Sequence, residues 1–403
     1  MSTVVIIGAG HAAGQAAASL RQDGHDGPIV ILGDEPYIPY QRPPLSKQYL
    51  SGEQGLDRVY LRPQKFYDDK HIDLRTGVTV DAIDRNARTV HTTAGDTIAW
   101  DKLIIATGSR VRRLTAPGSD LAGIHYLRTV TDVDGLRGDI VAGKKLVIVG
   151  GGYIGLEVAS VAVTAGMEVH VIEMEARILQ RVTTPEMSAY YHQLHTSRGV
   201  HIHTGMGVLG FTGEKGRVTA VNVPDGSFAA DAVLVGIGII PNVELARDAG
   251  LECDNGIVVD DHCRTSDPDI YAIGDCTNHP NPLLGRRLRL ESVPNAMEQA
   301  RVTSGNIMGG DKVYAAIPWF WSDQYELKLQ MVGFSADGNQ QVLRGDMAAN
   351  QFAMFYLKDG VVVAADAVNS PKEFMLCKQM IGKAVDATRL GDPTADLKAL
   401  ISA

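Results

Sequence analysis

Val4-Val5-Ile6-Ile7-Gly8-Ala9-Gly10-His11-Ala12-Ala13-Gly14, continued by an alanine-rich run to Leu20, decides how this 403-residue chain is read. Four apolar residues in a row predict a strand buried on both faces, as in a parallel sheet. A glycine turn and a helix follow. Gly8 permits the turn, Gly10 lets the backbone approach a pyrophosphate, and Ala13 fills the third small position, where helix and strand pack closely. A phosphate there would meet the N–H groups and the positive dipole end of the helix. The next apolar run, residues 29–32, ends in Gly33-Asp34-Glu35, where a carboxylate can accept a hydrogen bond from a ribose hydroxyl. Taken alone, the motif also fits a glycine-rich turn of some other α/β protein.

The motif recurs, which weakens that alternative. Leu146-Val147-Ile148-Val149 leads into Gly150-Gly151-Gly152-Tyr153-Ile154-Gly155, and a strand over 169–172 ends at Glu173. The acidic residue lies at about the spacing expected after the first glycine. Two fingerprints imply two dinucleotides. A second feature repeats too: residues 102–105 run into Ala106-Thr107-Gly108, and 232–235 run into Gly236-Ile237-Gly238. An internal duplication is expected.

Bulk properties narrow the classes. A hydrophobic content of 45% is ordinary for a globular protein, and a net charge of -9 argues against nucleic acid as the main partner. The first strand begins within three residues of Met1, so no signal peptide is expected and a cytoplasmic protein is. Residues 146–166 are the most apolar run, but their glycines and Glu157 favour strand–turn–helix over a membrane span. Cys253, Cys263, Cys276 and Cys377 form no Cys-x-x-Cys or Cys-x4-Cys pair, so neither a redox-active disulfide nor a metal site is expected.

Several stretches stay open between a plain and a functional reading. Tyr40-Gln41-Arg42-Pro43-Pro44-Leu45-Ser46-Lys47 reads as an extended loop held by its prolines; its cations are either solvated or near a ligand at the sheet edge. Gly274-Asp275 ends a predicted strand and suits a helix cap or a polyol hydroxyl. Arg286-Arg287-Leu288-Arg289 is a basic cluster, solvated or facing an acidic partner. Residues 291–301 read as a loop entering a helix broken by Pro294. Trp319 and Trp321 read first as core. From there the texture changes: strands at 327–333, 341–344, 351–357 and 361–366 suggest antiparallel pairing, and helical segments follow Pro371.

The whole set resembles the two-dinucleotide flavoprotein reductases, and among them the ferredoxin reductases that serve bacterial oxygenases. The resemblance spans essentially the full chain. Its most specific motifs are Glu291-Ser292-Val293-Pro294-Asn295-Ala296 and Pro318-Trp319-Phe320-Trp321-Ser322-Asp323-Gln324. It implies an α/β fold with two Rossmann-like, glutathione-reductase-like dinucleotide-binding domains and a small α+β C-terminal domain. The expected division is 1–114 with 242–317 for FAD, 115–241 for NADH, and 318–403 for the C-terminal domain. FAD is expected at Gly8, Gly10, Ala12, Ala13, Asp34, Glu35, Arg42, Lys47, Val80, Ala106, Thr107, Gly108, Arg128, Asp275, Val293 and Trp321. NADH is expected at Gly150, Gly152, Tyr153, Ile154, Gly155, Glu173, Arg181 and Gly238. Lys47 is expected near the flavin ring, paired with Glu157, with Trp321 against the flavin; these three are the catalytic candidates.

The resemblance further implies a 2Fe-2S ferredoxin as transient acceptor, docking at Arg286, Arg287 and Arg289, with no nucleic acid, no membrane and a monomer or weak homodimer. Glu173 suits a free 2′-hydroxyl and repels a 2′-phosphate, so NADH should be preferred over NADPH. A rubredoxin reductase, an NADH oxidase of the same fold and a non-enzymatic flavin redox sensor are the alternatives. The oxidase would ordinarily show a reactive cysteine near the flavin, where this chain has Ser46 and Lys47.

Overall fold

The computed structural model describes residues 2–402. Internal contacts group the chain into two units, one made of the segments up to Arg42, Gly55–Arg110 and Ile239–Pro318, the other of Pro43–Gln54, Val111–Gly238 and Trp319 onward.

The first unit is built on a five-stranded parallel sheet ordered Ile270–Ala272, Lys102–Ile105, Val4–Ile7, Ile29–Gly33, Ile72–Thr76. Alternate side chains of a strand face opposite sides. Val4 and Ile6 accordingly join a core with Ala13, Ala16 and Leu20 of the helix His11–Gln22, while Val5 and Ile7 join another with Val80, Val90 and Trp100. The helix Val293–Ile307 packs on the first of these cores. Here the expectation of a helix broken by Pro294 is corrected. Ser292 caps this helix, its hydroxyl accepting the Asn295 N–H, and Pro294 lies in the first turn, where its missing N–H would have had no intrahelical partner.

In the second unit the same sheet is drawn again: Ile124–His125, Ala232–Val235, Lys145–Val149, Glu168–Ile172, Val200–His203, all parallel. Four strands match the first sheet in order; the fifth does not, since Ile270–Ala272 comes last in its sheet's chain order and Ile124–His125 comes first in its own. A five-stranded antiparallel sheet follows, ordered Trp319–Gln324, Leu327–Gly333, Val361–Val368, Gln351–Lys358, Gln340–Asp346. Leu156 of the helix Tyr153–Thr164 shares one core with Leu327, Leu329, Phe352 and Val368 of that sheet. The C-terminal sheet is thus packed onto the second fingerprint helix. The segment read as an extended proline loop is more compact than expected: Pro43–Ser46 forms one 3-10 turn and Gln48–Ser51 one helical turn. Both prolines stand at the start of that turn, where the missing N–H groups cost nothing. Among the described residues, no helix is long and apolar enough to cross a membrane.

Candidate functional site

Each unit carries one glycine cradle, and the two are built alike. In the first, Gly8 has φ +106° and a Cβ there would lie 2.3 Å from the Ala106 carbonyl oxygen. In the second, Gly150 has φ +108° and its Cβ would lie 2.4 Å from the Gly236 oxygen. Only glycine fits either turn. Gly10 and Gly152 differ from these: a Cβ on either would meet no protein atom within 4 Å. They cap helices that have no side-chain cap and no acidic residue in the first turn. Open space in front of unshielded helix N-termini fits a bound pyrophosphate in both places.

Around the first cradle, Ala12, Ala13 and Ala106 are buried and keep the turn small. A Cβ on Gly274, at φ +84°, would come within 3.3 Å of Ala12 Cβ, so the Gly274-Asp275 turn approaches the fingerprint helix closely. Asp275 accepts a hydrogen bond from Ser109 Oγ at 2.9 Å. Thr107 Oγ1 donates to the Asn242 carbonyl at 2.7 Å, and Gly108 turns at φ +62°. Glu35 is already engaged: Arg42 Nη2 lies 2.7 Å from its Oε1 and Tyr40 OH donates to its Oε2 at 2.5 Å. Asp34, its neighbour, is exposed. Val80 lies in the core and Val293 starts the Ser292-capped helix.

At the second cradle Glu173 accepts two backbone N–H groups, from Gly151 at 2.7 Å and Glu175 at 2.8 Å. The guanidinium of Arg177 donates to the carbonyls of Thr184 and Gln180, and Arg181 is exposed. Ile154 is exposed beside the cradle and Gly238 is open at φ +102°.

The same unit holds a buried charge cluster. Lys47 Nζ lies 2.6 Å from Glu157 Oε2, with Glu157 only 1% exposed. Ser46 Oγ donates to Oε2 at 2.5 Å and Ser322 Oγ to Oε1 at 2.6 Å. The pairing of Lys47 with Glu157 is therefore present. Strand alternation places Phe320, Ser322 and Gln324 on one face and Trp319 and Trp321 on the other. The two indoles lie 5.6 Å apart, and Lys378 Nζ sits 4.5 Å above the Trp319 ring. Arg128 is half-buried, just before the Thr129–Asp132 capping box.

The basic cluster is less available than its sequence suggested. Arg287 donates to the carbonyls of Val259 and Asn278, and Arg289 pairs with Glu291 at 2.5 Å. Burial pushes the Cys276 thiol up to about 11 and the Cys263 thiol up to about 12, away from the thiolate form. Among the described residues every cysteine is unpaired. Reading the sequence missed Ser46, Ser322, Gln324 and Tyr40 as working groups. Alternation alone puts Ser322 and Gln324 on one face of their strand but does not say what they meet there.

With both cradles in view, the comparisons agree. Residues 2–300 match the family model described as pyridine nucleotide-disulphide oxidoreductase, and 319–401 match reductase C-terminal. The chain belongs to the pyridine nucleotide-disulphide oxidoreductase family. As a member it is an oxidoreductase that binds FAD and uses NAD(H). It is 45% identical to a probable ferredoxin reductase of Castellaniella defragrans, covering 98% of each chain. It is 44% identical to putidaredoxin reductase of Pseudomonas putida, covering 99% of this chain and 97% of that one. The solved covalent complex of putidaredoxin reductase with putidaredoxin matches at a TM-score of 0.96 and 44% identity, over 100% of this chain and 98% of that chain.

Proposed function

We infer that the protein is an FAD-containing reductase that passes electrons from NADH to a 2Fe-2S ferredoxin serving a bacterial oxygenase. The observation that carries this reading is the end-to-end likeness to a reductase solved in complex with its ferredoxin. Bound FAD supplies the exchange between a two-electron donor and a one-electron acceptor. The chain's own residues do the rest. Gly8, Gly10 and the helix at His11 hold the FAD pyrophosphate, with Glu35 and Asp275 for its hydroxyls; Gly150, Gly152 and Glu173 hold NADH. In this division residues 1–114 with 242–317 carry FAD, 115–241 carry NADH, and 318–403 bring Trp321.

Lys47 supplies a positive charge to stabilise negative charge arriving with the electrons, and Glu157 keeps that ammonium oriented. The roles of Lys47, Arg128 and Trp321 toward the flavin rest on the family likeness. The four cysteines form no Cys-x-x-Cys or Cys-x4-Cys pair, so on this reading electrons reach the acceptor without a thiol relay. Arg286 and its neighbours supply a positive rim for an acidic ferredoxin, in a protein that acts as a monomer or weak dimer.

Anaerobic reduction of cytochrome c by NADH, with and without a 2Fe-2S ferredoxin, tests the reading. Strong dependence on ferredoxin is expected. A flavin that bleaches with NADH while ferredoxin changes nothing would overturn it.

A further inference from the structure

A line of buried polar side chains runs away from Glu157 within the second unit. Ser322 Oγ donates to Glu157 Oε1 at 2.6 Å, and Gln324 Nε2 donates to Ser322 Oγ at 3.1 Å. His195 Nε2 lies 2.7 Å from Gln324 Oε1, and Tyr325 OH lies 3.0 Å from His195 Nδ1. Ser322 and Gln324 are each 1% exposed and His195 is 0% exposed. Beyond Tyr325 the line reaches solvent, where Arg198 stacks on the tyrosine ring at 4.9 Å and pairs with Glu326.

The direction of every bond follows from one end. A carboxylate paired with Lys47 only accepts, so the Ser322 hydroxyl must donate to it. The Ser322 oxygen must then accept from the Gln324 NH2 group. That fixes the amide, turning its oxygen toward His195, which must donate from Nε2. The other ring nitrogen is left to accept from Tyr325. Burial agrees, pushing His195 down to about 4 and keeping the imidazole neutral. An amide in the middle rules out a simple proton wire; what the chain transmits is orientation.

We infer that His195 is a positioning residue for the Lys47–Glu157 pair, its Nε2–H tautomer acting through Gln324 to hold the Ser322 hydroxyl proton on Glu157. That this pair serves the flavin rests on the function proposed above; the bond directions do not.

Two readouts test it on the FAD-loaded protein. The first is the ring 15N signature of His195, identified by its loss in His195→Gln, without NADH or ferredoxin. An Nε2–H tautomer is expected; an Nδ1–H tautomer would overturn the inference. Gln324→Glu replaces the donor by a second acceptor, and both His195 nitrogens should then be protonated at pH 7.

The second readout is NADH-driven reduction of ferricyanide, with melting followed in parallel. Ser322→Ala is expected to slow it about tenfold and His195→Ala about fivefold, and the double variant should be no slower than Ser322→Ala alone. His195→Gln, which keeps a donor near the Nε2 position, should stay within about twofold of the parent. Effects of the two alanine variants that multiply would overturn the inference. Should His195→Ala not fold, Gln324→Glu and the 15N spectrum decide. Ferredoxin enters neither arm, so failure of the acceptor assignment is read separately.

Discussion

The two fingerprint helices are a controlled comparison made by the chain itself. His11–Gln22 and Tyr153–Thr164 follow the same glycine turn and stand over sheets that share the order of four strands. Four residues into each, the first has Gln15 and the second Glu157. Gln15 Nε2 donates to Ser19 one turn on, at 2.8 Å, and its oxygen takes a long contact from Arg62 at 3.4 Å. Glu157 instead gathers Ser46, Lys47 and Ser322 from two other segments. One copy closes its buried polar position locally, while the other uses it to gather charge. The duplicated frame is conserved geometry; the divergence is electrostatic.

Breaking that contrast should give the largest effects. Glu157→Ala strands a buried ammonium and is expected to cost about 3–5 kcal/mol in denaturant unfolding. Gln15→Ala should cost about 1 kcal/mol by the same measurement. Equal costs would mean the two positions are not different in kind.

The glycines sharpen what is shared. Gly8→Ala and Gly150→Ala drive a methyl into a carbonyl at positive φ, and each should cost about 3 kcal/mol or more. Gly10→Ala and Gly152→Ala meet open space and should change stability by less than about 1 kcal/mol. They should instead lower FAD retention on gel filtration and raise the KM for NADH, respectively.

Asp366 tests the sheet behind the second helix. Burial pushes its carboxyl up to about 6, with Tyr356 and Thr183 donating to it. Its folded pKa lies above the unfolded value, so its contribution is full below about pH 4 and is lost as pH rises through 6. Asp366→Asn should therefore raise stability at pH 8 by up to about 2 kcal/mol and change little at pH 4. Smallest is the effect at Glu173. Glu173→Ala should cut the NADH-over-NADPH ratio of kcat/KM about tenfold.

Val4–Ile7, Ile29–Gly33, Lys102–Ile105, Lys145–Val149 and Ala232–Val235 were legible because they are apolar runs ending in glycine turns, a pattern local enough to read from a dozen residues. Ile72–Thr76, with its Asp73 and Arg75, and the two-residue Ile124–His125 carry no such run. Four antiparallel strands were legible from alternation, 327–333 with its exact bounds and the other three short by one to three residues, while Trp319–Gln324 read only as a core cluster. The C-terminal sheet's packing on the fingerprint helix was not, since burial of Leu156 against Leu329 leaves no mark in either stretch alone. Lys47 and Glu157 were paired through family likeness rather than spacing; they stand 110 residues apart. Ser322, Gln324 and His195 carried no local signal of working together, because their partners come from three distant segments. Pro294 was misread for the opposite reason: proline breaks a helix interior but suits its first turn, and only the Ser292 cap tells the two apart.

The strand order has a consequence for biosynthesis. Lys102–Ile105 pairs on one side with Val4–Ile7, available almost as soon as it emerges from the ribosome. Its other partner is Ile270–Ala272, which follows the whole of the second nucleotide sheet. At about 5–20 residues per second, that edge stays uncovered for roughly ten to thirty seconds. The last strand of the first parallel sheet is thus translated after the entire parallel sheet of the second unit. An exposed strand edge is an aggregation hazard while it waits. A nascent chain stalled before Ile270 should therefore bind holdase chaperones, and one released past the helix Val293–Ile307 should not.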